Sequence, residues 1–196
     1  MVIVESVQPL YSALLFDFDG TLVDSLPAHL KAWQVTMRAL GVKLSLETFQ
    51  QFSGISPWEI CASLAAMYDL DVDIEDVTER KARCYLEFLD MVSVHKPVLE
   101  IVRENYGKIP LAVATGNYAW LADETLRAKN IRHYFDVVVS SREVPHNKPA
   151  PDVFLEAARR IGQPPGMCCA FEDTDRGEEA ARSAGMDVVR IQDLLA

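Results

Sequence analysis

The chain has 196 residues, 49% of them hydrophobic and 24% charged, a balance that belongs to a globular protein with a substantial core and excludes a mostly disordered one. Nineteen Lys and Arg stand against twenty-nine Asp and Glu, a net charge of -10, and no stretch clusters basic residues, which excludes binding to nucleic acid or an anionic membrane. Glu5 interrupts the only candidate for a signal segment and no apolar run reaches membrane-spanning length, so a cytoplasmic protein is expected.

In chain order, the first few residues are a candidate for fraying, and residues 13–16 form the first of five apolar runs. The others are 111–114, 135–139, 167–171 and 188–191, and their near-continuous apolarity suits strands covered on both faces of a parallel sheet. Helical patterns at 118–129, 151–161 and 176–184 separate the later runs. This alternation predicts an α/β fold with a Rossmann-like, doubly wound parallel sheet. Asp175 and Glu178 suggest a capping box at the start of the last of these helices, and Gly185 a stop at its end.

Residues 26–93 break the pattern: they carry helical periodicity and no convincing strand, so they are assigned to an inserted helical domain, with 1–25 and 94–196 forming the core. Pro27 fits a first helical turn, with His29, Leu30, Trp33 and Met37 at helical spacing before Gly41 stops the run. A capping box with proline at its first helical position, Ser56-Pro57-Trp58-Glu59, opens a helix through Leu64 and Met67, and one further helix is expected over 75–91. The chain returns to the core near Lys96-Pro97, and the two crossings would serve as hinges. Cys61, Cys84, Cys168 and Cys169 show no C-x-x-C spacing, and the adjacent pair would face opposite sides of a strand, so buried reduced thiols are expected.

Four polar signals follow apolar runs, the position at which open α/β sheets bind ligands: Asp17-Phe18-Asp19-Gly20-Thr21, Thr115-Gly116-Asn117, Lys148-Pro149 and Glu172-Asp173. An EF-hand loop is excluded for the first, because its glycine comes fourth rather than sixth. Carboxylates at i and i+2 beyond a strand would share a side and repel by roughly 4 kcal/mol at ~4 Å and an effective dielectric of ~20, which calls for a metal or a shared proton. Thr115, Gly116 and Asn117 before a helix make an anion seat of outward N–H groups. Oxygen-only ligands from Asp17, Asp19, Glu172 and Asp173 favour Mg²⁺ over Zn²⁺.

Those residues in that order resemble the motifs of the haloacid dehalogenase superfamily along the whole chain. The helical insertion resembles the cap of its β-phosphoglucomutase-like branch, and the short C-terminus and the surroundings of Thr115-Gly116 look closest to bacterial fructose-1-phosphate and 6-phosphogluconate phosphatases. The resemblance implies that Asp17 is the nucleophile and Asp19 the general acid and base. It also implies that Mg²⁺ is held by the Asp17 carboxylate, the Asp19 backbone carbonyl and Asp173, with Glu172 supporting it directly or through water. Thr115, Gly116, Asn117 and Lys148 would hold phosphate oxygens, and the cap would close over the site to exclude water.

By the same likeness the loop Phe52-Ser53-Gly54-Ile55-Ser56 reads the substrate, and His29 is a candidate contact while Trp33 belongs to the cap core. Mutase relatives carry a basic residue in that loop to grip a second phosphate, and this loop has none, which favours hydrolysis of a small sugar phosphate by a Mg²⁺-dependent phosphatase; a monomer is expected. A β-phosphoglucomutase and a non-catalytic sugar-phosphate-binding protein are the alternatives.

Overall fold

In the computed structural model, residues 10–52 and 54–195 are described; the expected fraying of the first few residues and the candidate Ser53 lie outside them. The chain divides into two compact units, with crossings after Asp24 and after Ser93.

The larger unit is a sheet with helices. Its strands are β1 (Ala13–Phe16), β4 (Leu111–Thr115), β5 (Val137–Ser140), β6 (Cys168–Glu172) and β7 (Asp187–Arg190). Two short strands, β2 (Val23–Asp24) and β3 (Ser93–Val94), pair separately at the crossings. The main sheet runs in the order β5-β4-β1-β6-β7, and every pairing is parallel. The chain builds outward from β1 through β4 to β5, then restarts on the other side with β6 and β7. The strand order therefore reverses at β1, where α/β sheets open a crevice at their carboxyl ends.

Alternation along β1 explains how both faces are covered. Ala13 and Leu15 join Ala112, Ala114, Cys168 and Ala170 in a cluster with Phe154 and Ala157 of α7 (Asp152–Arg160) and Ala180 and Ala181 of α8 (Asp175–Ser183). On the opposite face Phe16 stacks on Phe171, 4.7 Å between ring centres, and meets Phe135 edge-on at 6.0 Å. Small alanines against the α7 and α8 face let the helices approach closely, while aromatics fill the other side.

The smaller unit is helical: α1 (Leu26–Ala39), α2 (Leu46–Gln50), α3 (Pro57–Met67) and α4 (Ile74–Tyr85) close around Trp33, Met37, Phe49, Ile60, Leu64 and Val77. Its Ser56 capping box forms in full, the Glu59 N–H donating to Ser56 Oγ at 3.3 Å and the Ser56 N–H to Glu59 Oε2 at 2.8 Å.

Several local expectations change. The single helix over 75–91 ends at Tyr85 and continues as a 3₁₀ segment, Leu86–Met91, kinked at Phe88. No side chain of that segment is fully buried, so the buried α stripe of Val77, Thr78, Lys81 and Tyr85 does not continue into it. The cap of α8 is Thr174, whose Oγ1 accepts the Gly177 N–H at 3.1 Å; Asp175 is already helical and bonds Arg190 instead, at 2.9 Å. Lys96–Asn105, left unassigned beyond the return to the core near Lys96-Pro97, is a helix, α5, burying Val98, Ile101, Val102 and Asn105. Three cysteines are buried and Cys84 is half-buried. The remaining helices are α6 (Ala119–Ala128) and α9 (Gln192–Leu195).

Because Phe16 is fully buried between two aromatic partners, Phe16→Ala should cost about 3–5 kcal/mol in urea unfolding, with the sheet order intact.

Candidate active site

The site residues of the larger unit gather at the carboxyl ends of β1, β4 and β6. β1 delivers Asp17, whose N–H donates to the Phe171 carbonyl at 2.9 Å, so strand pairing continues to the carboxylate itself. β6 delivers Glu172 as its last residue, fully buried, and Asp173 follows. The Lys148 ammonium, carried by the loop between β5 and α7, reaches across to donate to Asp17 Oδ1 at 2.6 Å, Glu172 Oε1 at 2.5 Å and the Ala114 carbonyl at 3.1 Å. It also lies 4.8 Å from the centre of the Phe154 ring.

Electrostatics here follow from burial. Desolvation first, then the neighbouring Glu172, pushes the Asp17 carboxyl well above its usual range, and Lys148 opposes both. For Lys148 burial alone would lower the pKa, but its two carboxylate partners overcome that and hold it charged, above the ordinary lysine range. Asp173 is pushed up to about 6 by burial and by Glu172, against the hydrogen bond from Thr21 Oγ1 to Asp173 Oδ1 at 3.2 Å. Glu172 and Asp173 are thus two of the carboxylates that press on Asp17.

Asp17, Glu172 and Asp173 each present an oxygen within 4.8 Å of the others, an all-oxygen set suited to a hard cation. Two glycines leave room for it. A Cβ on Gly20, where φ is +91°, would sit 2.3 Å from Asp173 Oδ2, and one on Gly177 would sit 2.0 Å from the Glu172 carboxyl. Glu172 Oε2 is fastened by the N–H groups of Asp173 and Thr174 at 3.1 and 3.3 Å and by Thr174 Oγ1 at 3.2 Å.

Asp19 Oδ2 accepts a long bond from Asn117 Nδ2 at 3.4 Å. Thr115 and Asn117 are buried beside it, Thr115 Oγ1 accepting the Asn117 N–H at 3.0 Å, and Gly116 lies between them with its carbonyl bonded to Ser141 Oγ. His29 belongs to the helical unit, stacked on Tyr85 at 4.3 Å with its Nδ1 2.7 Å from Lys81 Nζ. Gly54 is exposed there with φ +76°, and Trp33 is fully buried in the core of that unit.

Four side chains were not singled out from sequence. Arg176 holds the Lys148 carbonyl from α8, at 2.5 and 3.2 Å. Ser140 and Ser141 grip the loop after β4, and Lys81 is buried among Trp33 and Tyr85. A lysine on an otherwise apolar helical stripe and paired hydroxyls at a strand end were the available signals.

Residues 14–191 match the haloacid dehalogenase-like hydrolase family. The chain belongs to that family. It is 36% identical over 182 residues to the fructose-1-phosphate phosphatase YqaB of Escherichia coli, a match covering 93% of this chain and 97% of that protein. It is 30% identical to a phosphorylated carbohydrates phosphatase of Thermotoga maritima (89% and 82% covered) and 27% identical to a β-phosphoglucomutase of Bacillus subtilis (91% and 82%). The crystal structure of CbbY from Rhodobacter sphaeroides in complex with phosphate superposes with a TM-score of 0.84 at 27% identity, over 91% of this chain and 84% of that one. The α/β architecture of this hydrolase is thus that of its family.

Two outcomes follow from the buried charges. Lys148→Met should destabilise the protein by about 3–5 kcal/mol in urea at neutral pH, because two buried carboxylates lose their cation. Gly177→Ala, which in an open helix would stabilise by about 1 kcal/mol, should instead lower the thermal midpoint by driving a methyl into Glu172.

Proposed function

We propose that this hydrolase is a Mg²⁺-dependent phosphatase of a small sugar phosphate, of the fructose 1-phosphate or 6-phosphogluconate type, working through an aspartyl-phosphate. The observation that carries this reading is the Lys148 ammonium bridging Asp17 and Glu172 at the carboxyl ends of β1 and β6, with the Thr115–Asn117 loop alongside. Similarity to YqaB over nearly the whole chain supports the substrate class.

Lys148 holds Asp17 Oδ1 and leaves Oδ2 to attack phosphorus in line. As the new P–O bond to Asp17 forms, the ester P–O bond breaks, and the Asp19 carboxyl gives its proton to the departing sugar oxygen. Asp19 then takes a proton from the water that attacks the aspartyl-phosphate, releasing phosphate and restoring Asp17. Asn117, bonded to Asp19, orients that carboxyl. Thr115 and the Gly116 N–H hold the equatorial oxygens as their charge redistributes, with the Lys148 charge beside them.

The Asp17 and Asp173 carboxylates and the Asp19 carbonyl would hold the Mg²⁺, with Glu172 supporting it directly or through water, and the room left by Gly20 beside Asp173 fits that role. When bound, the ion supplies positive charge against the phosphoryl oxygens. With Asp19 protonated, the cation and Lys148 cancel the three remaining site carboxylates, which reconciles an anionic substrate with a chain of net charge -10. His29, Ser53 and Gly54 are the insertion's proposed contribution to choosing the sugar, and the absence of Lys or Arg from residues 52–57 favours hydrolysis over mutase chemistry.

A panel of phosphorylated sugars assayed with Mg²⁺ should release inorganic phosphate, and Asp17→Asn should abolish that release. Isomerisation of β-glucose 1-phosphate in the presence of a bisphosphate activator, with little free phosphate, would select the mutase instead. The pH dependence of metal binding provides a second check. Burial and Glu172 push the Asp173 carboxyl up to about 6, above its ordinary 3.8, so its ionisation opposes folding, with no penalty below 3.8 and the full penalty above about 6. A cation relieves that penalty, so the Mg²⁺-induced rise in thermal midpoint should be largest above pH 6 and fade as the pH falls toward 3.8.

A further inference from the structure

The loop that follows β4 is held from the neighbouring strand. β5 pairs with β4 in the parallel register Thr115↔Ser140, so both strands end at the same level and Ser140 and Ser141 emerge beside Thr115-Gly116-Asn117. Ser140 Oγ donates to the Asn117 carbonyl at 2.6 Å, and Ser141 Oγ donates to the Gly116 carbonyl at 3.0 Å. Both serines are buried, at 1% and 3% exposure. Each hydroxyl has a single proton, and in both cases the loop receives it.

Ser140 is itself immobilised. Its Oγ accepts the Arg142 N–H at 3.1 Å, and its own N–H donates to Glu143 Oε2 at 2.8 Å. The far side of the loop is tied as well, the Asn117 N–H to Thr115 Oγ1 and the Tyr118 N–H to Asn117 Oδ1, both at 3.0 Å. In a trans peptide the carbonyl and the N–H point in opposite directions, so fixing the Gly116 and Asn117 carbonyls fixes the two N–H groups that follow them. Those N–H groups occupy the acceptor sides of the Thr115 hydroxyl and the Asn117 amide. Thr115 is left to donate its proton, and Asn117 to direct its NH₂ toward Asp19.

We propose that Ser140 and Ser141 are positioning residues of the reaction: touching no substrate themselves, they set through two loop carbonyls the direction in which Thr115 and Asn117 donate. The proposal rests on the phosphatase reading of those two residues. A loop misaimed by about 1 Å loses on the order of 10²-fold in rate while ground-state binding survives, so kcat and KM should separate.

The test compares wild type, Ser140→Ala, Ser141→Ala, the double variant and Ser140→Thr, all with Mg²⁺. It measures kcat, KM and the affinity for orthovanadate, which adopts the five-coordinate geometry of phosphoryl transfer. The double variant should lose about 10²-fold in kcat with KM changed less than about threefold, vanadate affinity should fall in parallel, and Ser140→Thr, which keeps the donor, should remain near wild type. If the double variant does not fold, the single alanine variants and Ser140→Thr carry the same comparison. Turnover within about twofold of wild type in folded alanine variants overturns the proposal, as does an equal loss in Ser140→Thr, which would mark a volume effect. Should wild type release no phosphate from any ester, the phosphatase reading fails by itself. Vanadate affinity then decides the clamp: weakening confined to the alanine variants upholds it, and equal affinity in all removes it.

Discussion

A single ammonium placed between two buried carboxylates is the interaction on which the carboxyl end of the sheet depends. Asp17 and Glu172 leave neighbouring parallel strands almost without solvent, and like charges so placed would force a proton onto one of them or open the core. Lys148 resolves this from a third segment of chain, and its own burial is tolerable only because both acids and the Ala114 carbonyl receive its three N–H groups. Much else serves that arrangement. Arg176 anchors the Lys148 carbonyl, the Phe154 ring lies against the ammonium, and Gly177 clears the volume that the Glu172 carboxyl fills.

The same economy governs charge at the scale of the molecule. An acidic protein should repel a phosphate ester, yet the acids at this site form a socket for cations, one supplied by the chain as Lys148 and one suited to a hard metal. What the remaining surface contributes is a long-range field that salt screens within about 10 Å at ordinary ionic strength. The local balance therefore decides binding, and the global balance favours solubility.

The helical unit holds a second buried lysine. Lys81 is 2% exposed, with its ammonium beside His29 Nδ1 and within 6 Å of the rings of Trp33 and Tyr85, 5.4 and 5.8 Å from their centres. An imidazole nitrogen and two aromatic faces thus flank this ammonium. Trp33 belongs to that core as its spacing with Met37 suggested, whereas Lys81 escaped notice because a lysine in a charged helix reads as a solvated one.

The apolar runs and the polar residues that follow them were legible in the sequence by itself, since burial on both faces writes a strand as a continuous apolar string and chemistry collects where such strings end. From these came the doubly wound sheet, the inserted helices, and Asp17, Asp19, Thr115, Lys148, Glu172 and Asp173 as one group. Tertiary structure alone decided what each touches. Which carboxylates press on Asp17, that Thr174 rather than Asp175 caps α8, and that Ser140 and Ser141 hold the loop after β4 all depend on distances across strands far apart in the chain. The physical reason is that periodicity reports which side of an element faces the core, a local property, whereas desolvation and hydrogen bonding are set by neighbours that only the strand order β5-β4-β1-β6-β7 brings together.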